Sequence, residues 1–531
     1  MSEFLLYYRR PDPTTWVYMS SFLTIGLFFV FRRFWSIRNL DIVLLILLAP
    51  GLLMVNEGYR RQTRLARLAS AEINSATTNP SLATSAEEEA ARAEDDGAED
   101  NGPDERGPED IEAEPPTAPE NSRDVTETTA TVAPAAADAP PEPRELTAEE
   151  LTQLRQSDAY QRAAGLQRAG FVTLFGIQFL VLLRMLLDPL MVRRPLLDPN
   201  LTTGGLNFLG ISLFIFMMAN VVASTPEIQQ EQGPKLGPGY ALINMLPAIP
   251  TRPISEAIAG AEPPTMAELT AAEQRRTMIA KIIAILAQSA VLIGILLIGN
   301  RHFGNLRSGA GCATLYLLMP YTAQMTGRVD HVVPAALILW GVLMYRKPLI
   351  AGLFIGAAAG LLYYPLFLLP LWFSFYWQRG AGRFAVGVGV TLTILMALLA
   401  FAGGEPFITH VQRMFGVLNP NKGPNELTGI WELGWNPIWR LPVIVGYVIL
   451  SFFFAVWPGQ KNLGILISCS AALMVATQFW HGYGGGLYMA WFLPLLLLTI
   501  FRPNLQDRVA TKVIDGRSRP ARRSTTALDA A

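Results

Sequence analysis

From Met278 to Phe501 the chain offers water almost no polar face. Apolar runs follow one another, broken by short hinges rich in Gly, Pro and cations and by one longer stretch at 403–440. One run ends at Met319-Pro320-Tyr321 and breaks at Gly327-Arg328-Val329-Asp330-His331; the next stops at Arg346-Lys347-Pro348. A third crosses Tyr363-Tyr364-Pro365 to Arg379 and Arg383. A bilayer satisfies no backbone polar groups, so such a chain crosses it as helices joined by hinges at the two surfaces. About nine spans fit between Met278 and Phe501 at roughly 20 residues each, with shorter ones tilted or flanked by snorkelling side chains.

Composition agrees once its asymmetry is removed. The chain has 531 residues, 51% of them hydrophobic, and a formal net charge of −1. Residues 71–150 hold 23 Asp and Glu against four Arg, which leaves about +18 on the remainder. That positive charge flanks apolar runs, which suits lipid headgroups and not nucleic acid. Cys312 and Cys469 both sit inside apolar runs, so the sequence argues against a disulfide framework or a cysteine metal site. Glu3 and Pro11-Asp12-Pro13 interrupt any signal-peptide pattern, and the run from Trp16 to Phe31 reads as a retained span.

The chain divides into five parts. Residues 1–68 form a membrane module with two spans, about Trp16–Phe31 and Leu40–Val55, followed by a helical stub to Leu68. Residues 69–145, built of Ala, Glu, Asp, Pro and Thr, cannot bury enough surface to offset ordering entropy and are expected to be a disordered acidic linker. Residues 146–205 begin with a capping box at Thr147-Ala148-Glu149-Glu150, then hold a third span and a turn-rich basic loop. Residues 206–501 are the multi-span domain, with long loops at 224–277 and 403–440, and residues 502–531 are a basic disordered tail. In all, about 13 spans are expected. Arg301, Arg307, Arg346, Lys347, Arg379, Arg383 and Lys461 fall on one side, which the positive-inside tendency makes cytoplasmic. The other side holds the Arg328 hinge, the Tyr363-Tyr364 hinge, both long loops and Gln478–Gly486. Arg60, Arg61, Arg64 and Arg67 run against this orientation.

Ionisable groups at membrane hinges are expensive to keep, so they are the candidates for chemistry. Arg328, Asp330 and His331 share one outer hinge, and His481 lies among glycines at another. The plain alternatives are an Arg328–Asp330 ion pair and a solvated His481. Trp431 and Trp435 read either as interface aromatics or as sugar-stacking platforms. No phosphate-binding loop, HExxH or Gly-x-Ser-x-Gly motif is present, and Gly484-Gly485-Gly486 reads as a hinge.

Several of these stretches, in this order, resemble the GT-C superfamily of polytopic glycosyltransferases, nearest its polyprenyl-phosphate-mannose-dependent mannosyltransferases. They are the apolar run to Met319-Pro320, the Gly327-Arg328-Val329-Asp330 hinge, Tyr345-Arg346-Lys347-Pro348, Ala351–Gly356, and Tyr364-Pro365-Leu366-Phe367-Leu368-Leu369-Pro370. The resemblance covers about residues 206–501. It implies transfer of a sugar from a polyprenyl-phosphate donor to a glycan or lipid acceptor on the extracytoplasmic face, with membrane lipids as surroundings. It also implies a catalytic outer loop at 224–277. There the family places an Asp base, whereas this loop contains no Asp and its first carboxylates are Glu227 and Glu231. The family tends to carry Gly-Gln at the Arg328 hinge, and a Lys where this chain has Tyr363 or Tyr364.

An inverting transfer needs a carboxylate to take the acceptor proton and cations to stabilise the leaving phosphate. Glu227 is the candidate base and Glu231 the second; Arg328 is the candidate phosphate contact, with Asp330, His331 and His481 beside it. Ser224-Thr225-Pro226-Glu227 also reads simply as a helix start. No motif requires a cofactor, and a divalent metal stays open. The sequence therefore predicts an all-α polytopic membrane protein, GT-C-like in its second half, in the cell membrane (the inner membrane of a bacterium). A transporter or lipid flippase, and a non-catalytic membrane scaffold, are the alternatives.

Overall fold

The computed structural model describes residues 13–78, 147–191, 197–223, 271–402, 427, 429–432, 436–482, 484–510 and 512–513. Most of the acidic linker, most of both long loops and the end of the tail lie outside these residues. The chain forms two units, one of residues 1–57 with 166–531 and one of residues 58–165.

The larger unit is a helix assembly in which successive helices run between two ends. Its elements are α1 (Pro13–Phe28), the start of α2 (Ile37–Thr78), the end of α4 (Asp158–Leu187), α5 (Thr203–Ala223) and α6 (Ala271–Arg301). Then come α7 (Leu306–Leu318), α8 (Pro320–Gln324), α9 (Val329–Leu343), α10 (Pro348–Leu361), α11 (Leu369–Tyr376) and α12 (Ala381–Ala402). Helices α13 (Arg440–Val456), α14 (Leu463–Trp480) and α15 (Leu493–Phe501) close it, followed by a small antiparallel hairpin, β1 (Arg508–Val509) with β2 (Lys512–Val513). Among the described residues, six helices are long and apolar enough to cross a membrane, beginning at Ile37, Asp158, Thr203, Met278, Ala381 and Leu463. Four shorter apolar helices, Val329–Leu343, Pro348–Leu361, Tyr364–Tyr376 and Arg440–Val456, pack among them.

Apolarity alone does not say which helices meet lipid; burial does. In α14, 89% of the span is covered by protein, against 17% in α12. Helix α14 is thus a central strut and α12 a peripheral one. Two of the buried polar side chains of α14 find partners in the assembly: the Trp372 indole donates to Ser470 Oγ at 3.2 Å, and Gln478 bonds the backbone of Gly486 and Tyr488. Small residues set the closest helix contacts. A Cβ on Gly352 of α10 would collide with the Phe384 carbonyl of α12, and one on Gly387 with the Leu349 carbonyl.

One end is locked by buried ions. Asp41 of α2 receives a two-pronged contact from Arg184 of α4, Nε at 2.7 Å and Nη2 at 2.9 Å. Arg184 Nη1 also reaches Asp188 at 3.1 Å, and Arg502, just past α15, bonds the other Asp188 oxygen at 2.5 Å. All four side chains are buried. The expected polar tail from residue 502 is thus corrected: Arg502, Leu505 and Ala510 pack into the assembly. The opposite end carries the Arg328 hinge and the glycine turn after α14. There Asn56 donates to Gln324 at 2.5 Å.

In the smaller unit, α2 continues ten residues beyond the expected stub, to Thr78, because 65–72 is rich in the helix formers Ala, Arg, Leu and Glu. Helix α3 (Ala148–Gln156) starts with the capping box read from the sequence. Glu150 N–H donates to Thr147 Oγ1 at 3.4 Å, and Thr147 N–H donates to Glu150 Oε2 at 2.7 Å.

Candidate functional site

The hinge between α8 and α9 forms because Met319-Pro320 ends α7 and restarts the helix. Thr326 then turns its hydroxyl back onto the carbonyls of Thr322 and Ala323. Arg328 caps α9, and Asp330 sits in the first turn, where the helix dipole favours a negative charge. The Arg328 guanidinium grips the Asp330 carboxylate with both prongs, Nε to Oδ1 and Nη2 to Oδ2, each at 3.1 Å. This bidentate geometry is the strong form of the contact, and it neutralises the hinge. The pair weighed as the plain alternative is therefore formed, and any anion meeting Arg328 competes with Asp330.

His331 lies inward of that pair, 3% exposed. Its Nδ1 meets the Tyr321 hydroxyl at 2.5 Å, and its Nε2 lies 3.7 Å from Asp330 Oδ2. The Trp491 indole donates to the Asp330 carbonyl at 3.3 Å. From the other hinge, His481 caps the end of α14 and its Nδ1 meets the Tyr364 hydroxyl. Tyr488 stands between the two imidazoles, its ring 4.5 Å from His331 and 4.7 Å from His481. Chain segments 150 residues apart thus meet in one buried cluster of two histidines and an aromatic wall.

His481 is fully buried, which corrects the solvated reading. Burial first, and the Arg440 guanidinium second, push its pKa down to about 3, so it is a neutral imidazole. Arg440 is itself buried and donates to the Trp480 carbonyl at 3.1 Å. The glycine turn beside it needs its glycines. Gly484 and Gly486 have φ of 65° and 91°, and a Cβ on Gly429 would lie 2.9 Å from Gly484 Cα.

The structure brings together Arg328, Asp330, His331 and His481; Glu227, Glu231 and Trp435 lie outside the described residues. The residues that sequence reading missed are Tyr321, Tyr364, Tyr488 and Trp491. Their signal was aromatic residues placed at the very hinges that carry the ions. Among the described residues, no three His, Cys, Asp or Glu side chains gather as a metal ion would need. A crevice of about 10 Å³ beside Tyr321, Pro320 and Leu48 is no larger than a water needs.

Comparison with protein-family models, curated proteins and solved structures finds no match. The class of the chain rests on its own structure: among the described residues, six helices are long and apolar enough to cross a bilayer, which is the architecture of a multi-span membrane protein.

Proposed function

We propose that this chain is a glycosyltransferase of GT-C-like architecture that uses a polyprenyl-phosphate sugar donor at the extracytoplasmic face. In this reading the four shorter apolar helices, with α1, α7 and α15, also traverse the bilayer, giving about 13 spans. The observation that carries it is the convergence of Arg328, Asp330 and His331 from one outer hinge with His481 from another. A guanidinium with imidazole groups beside it, at one end of a membrane bundle, is suited to stabilise a leaving lipid phosphate. The donor phosphate takes one prong of Arg328 from Asp330, and a carboxylate of the 224–277 loop, Glu227 or Glu231, takes the acceptor proton.

The experiment is transfer from a polyprenyl-phosphate hexose by the full chain in proteoliposomes, with Glu227→Gln and Glu231→Gln beside it. Loss of transfer in one variant, with insertion unchanged, supports the reading; unchanged transfer in both removes the carboxylates from the role.

One observation favours a second reading. Asp330 already answers Arg328 with ideal geometry, which suits a hinge built for rigidity in a non-catalytic scaffold. In that case neither substitution changes any covalent chemistry, and Arg328→Gln lowers stability alone.

A further inference from the structure

Three hinges beyond the C-terminal ends of α9, α11 and α13 carry Lys347, Arg379 and Lys461, and Arg383 follows in the first turn of α12. The first two hinges touch. A Cβ on Gly380 would lie 2.7 Å from the Pro348 ring, so Lys347 and Arg379 each adjoin that contact. Lys347, Arg379 and Arg383 are exposed. The Lys461 ammonium donates to the carbonyls of Ala455 at 3.1 Å and Pro458 at 2.8 Å, neutral groups that leave its charge in place. No Asp or Glu occurs in residues 331–404 or 441–506, the stretches that supply these hinges. Among the described residues none of the four cations is ion-paired. Helix C-termini favour cations, yet four of them without a carboxylate leave an excess of positive charge here.

Between two of these hinges an open groove of about 680 Å³ follows α11 and α13. Its walls include Leu366, Pro370, Phe373 and Trp377 on one side, and Phe452 and Ala455 on the other. From Leu366 to Trp377 it runs roughly 17 Å at 1.5–2.0 Å per residue, about one leaflet of a 30 Å hydrocarbon core. Contacts place the cations at one end of it. Ala455, whose carbonyl holds the Lys461 ammonium, is a groove wall, and Trp377, 76% exposed, stands two residues before Arg379. A free phosphate would leave the apolar groove unfilled, and a lipid without net charge would leave the cations unanswered.

We propose that the Lys461–Arg379 hinges and the groove between α11 and α13 form a binding site for an anionic glycerophospholipid. Lys461 and Arg379 bind its phosphate, and Lys347 and Arg383 add longer-range attraction. One acyl chain lies in the groove from Trp377 toward Leu366. Anionic lipids are enriched in the cytoplasmic leaflet, the side to which the positive-inside tendency assigns these cations. Lys347 lies past the end of α9 remote from the Arg328 hinge, so this site is independent of the transfer reaction proposed above.

The test uses the full chain in phosphatidylcholine nanodiscs containing a trace of phosphatidylglycerol or phosphatidylcholine with a diazirine in the acyl chain, and adducts are mapped by mass spectrometry. The phosphatidylglycerol probe should label the groove walls on α11 and α13 at least about fivefold more than the phosphatidylcholine probe, the ratio for one cation at a membrane surface. That ratio should be higher on the groove walls than on α5. Arg379→Gln and Lys461→Gln should each lower it about fivefold, and the double variant should bring it close to one. Arg379 is exposed, and glutamine at position 461 can still donate to the carbonyls of Ala455 and Pro458, so these variants keep the fold. Equal labelling by both probes, a ratio no higher than on α5, or a preference that survives the double variant overturns the proposal. Protein–protein adducts across the groove assign it to a second copy of the chain, and stronger displacement by polyprenyl phosphate than by phosphatidylglycerol assigns it to that lipid; either result also overturns the proposal.

Discussion

Replacing Asp188 by Asn tests whether the buried ion network holds the N-terminal helices to the end of the chain. Asp41 and Asp188 balance Arg184 and Arg502, all buried, so the network is neutral as a set. In Asp188→Asn, Arg184 keeps both contacts to Asp41, while Arg502 loses the carboxylate 2.5 Å away. One positive charge is then left buried, and breaking a buried pair this way costs about 3–5 kcal/mol. Arg502→Met leaves the opposite charge and should cost a similar amount. The double variant is neutral again, with Arg184 and Asp41 still paired. It should therefore recover at least ~2 kcal/mol relative to the sum of the single variants. Unfolding by dodecyl sulfate titration in mixed micelles measures all three. Single costs below ~1 kcal/mol, or strict additivity in the double variant, would refute the reasoning.

Further predictions follow from local geometry. Gly352→Ala should destabilise by about 1–3 kcal/mol, because its Cβ meets the Phe384 carbonyl, whereas Gly389→Ala in α12, with open space, should be neutral or stabilising on the same titration. Asn39→Ala should open the turn between α1 and α2, because the Asn39 side chain serves Val30 N–H and the carbonyls of Val30, Arg33 and Phe34; faster proteolysis there would report it. His302, just past α6, bonds the Leu343 carbonyl, and burial with Arg346, Arg508 and Arg301 nearby lowers its pKa to about 4. Its folded value lies below the ordinary 6.5, so its stabilising contribution is complete above pH 6.5 and falls away as pH drops toward 4. His302→Gln, which can still donate to Leu343, should flatten that part of a stability–pH curve.

What was legible in the sequence was local. The Thr147–Glu150 capping box is an i, i+3 pattern, and the Arg328–Asp330 pair is two residues apart, so neither needs tertiary knowledge. Apolar runs revealed helices but not their surroundings: α14 and α12 read alike, and packing alone makes one central and the other peripheral. Asp188-Pro189 looked like a turn because its partners, Asp41 and Arg502, lie far away in the chain. For the same reason His481 looked solvated, since Tyr364 and Tyr488 reach it only after α10, α11 and α14 have packed. Polar groups in apolar surroundings must find partners, but that rule does not say which ones.

The proposed reaction is covalent sugar transfer from a lipid phosphate. Its most direct test is to supply polyprenyl-phosphate-linked mannose, glucose and galactose in turn to proteoliposomes of the full chain and of Glu227→Gln, with a glycan and a lipid acceptor. A new glycosidic product is expected from one donor with the native chain, and none with Glu227→Gln inserted at the same level. No product from any donor, or equal product from both proteins, would contradict it.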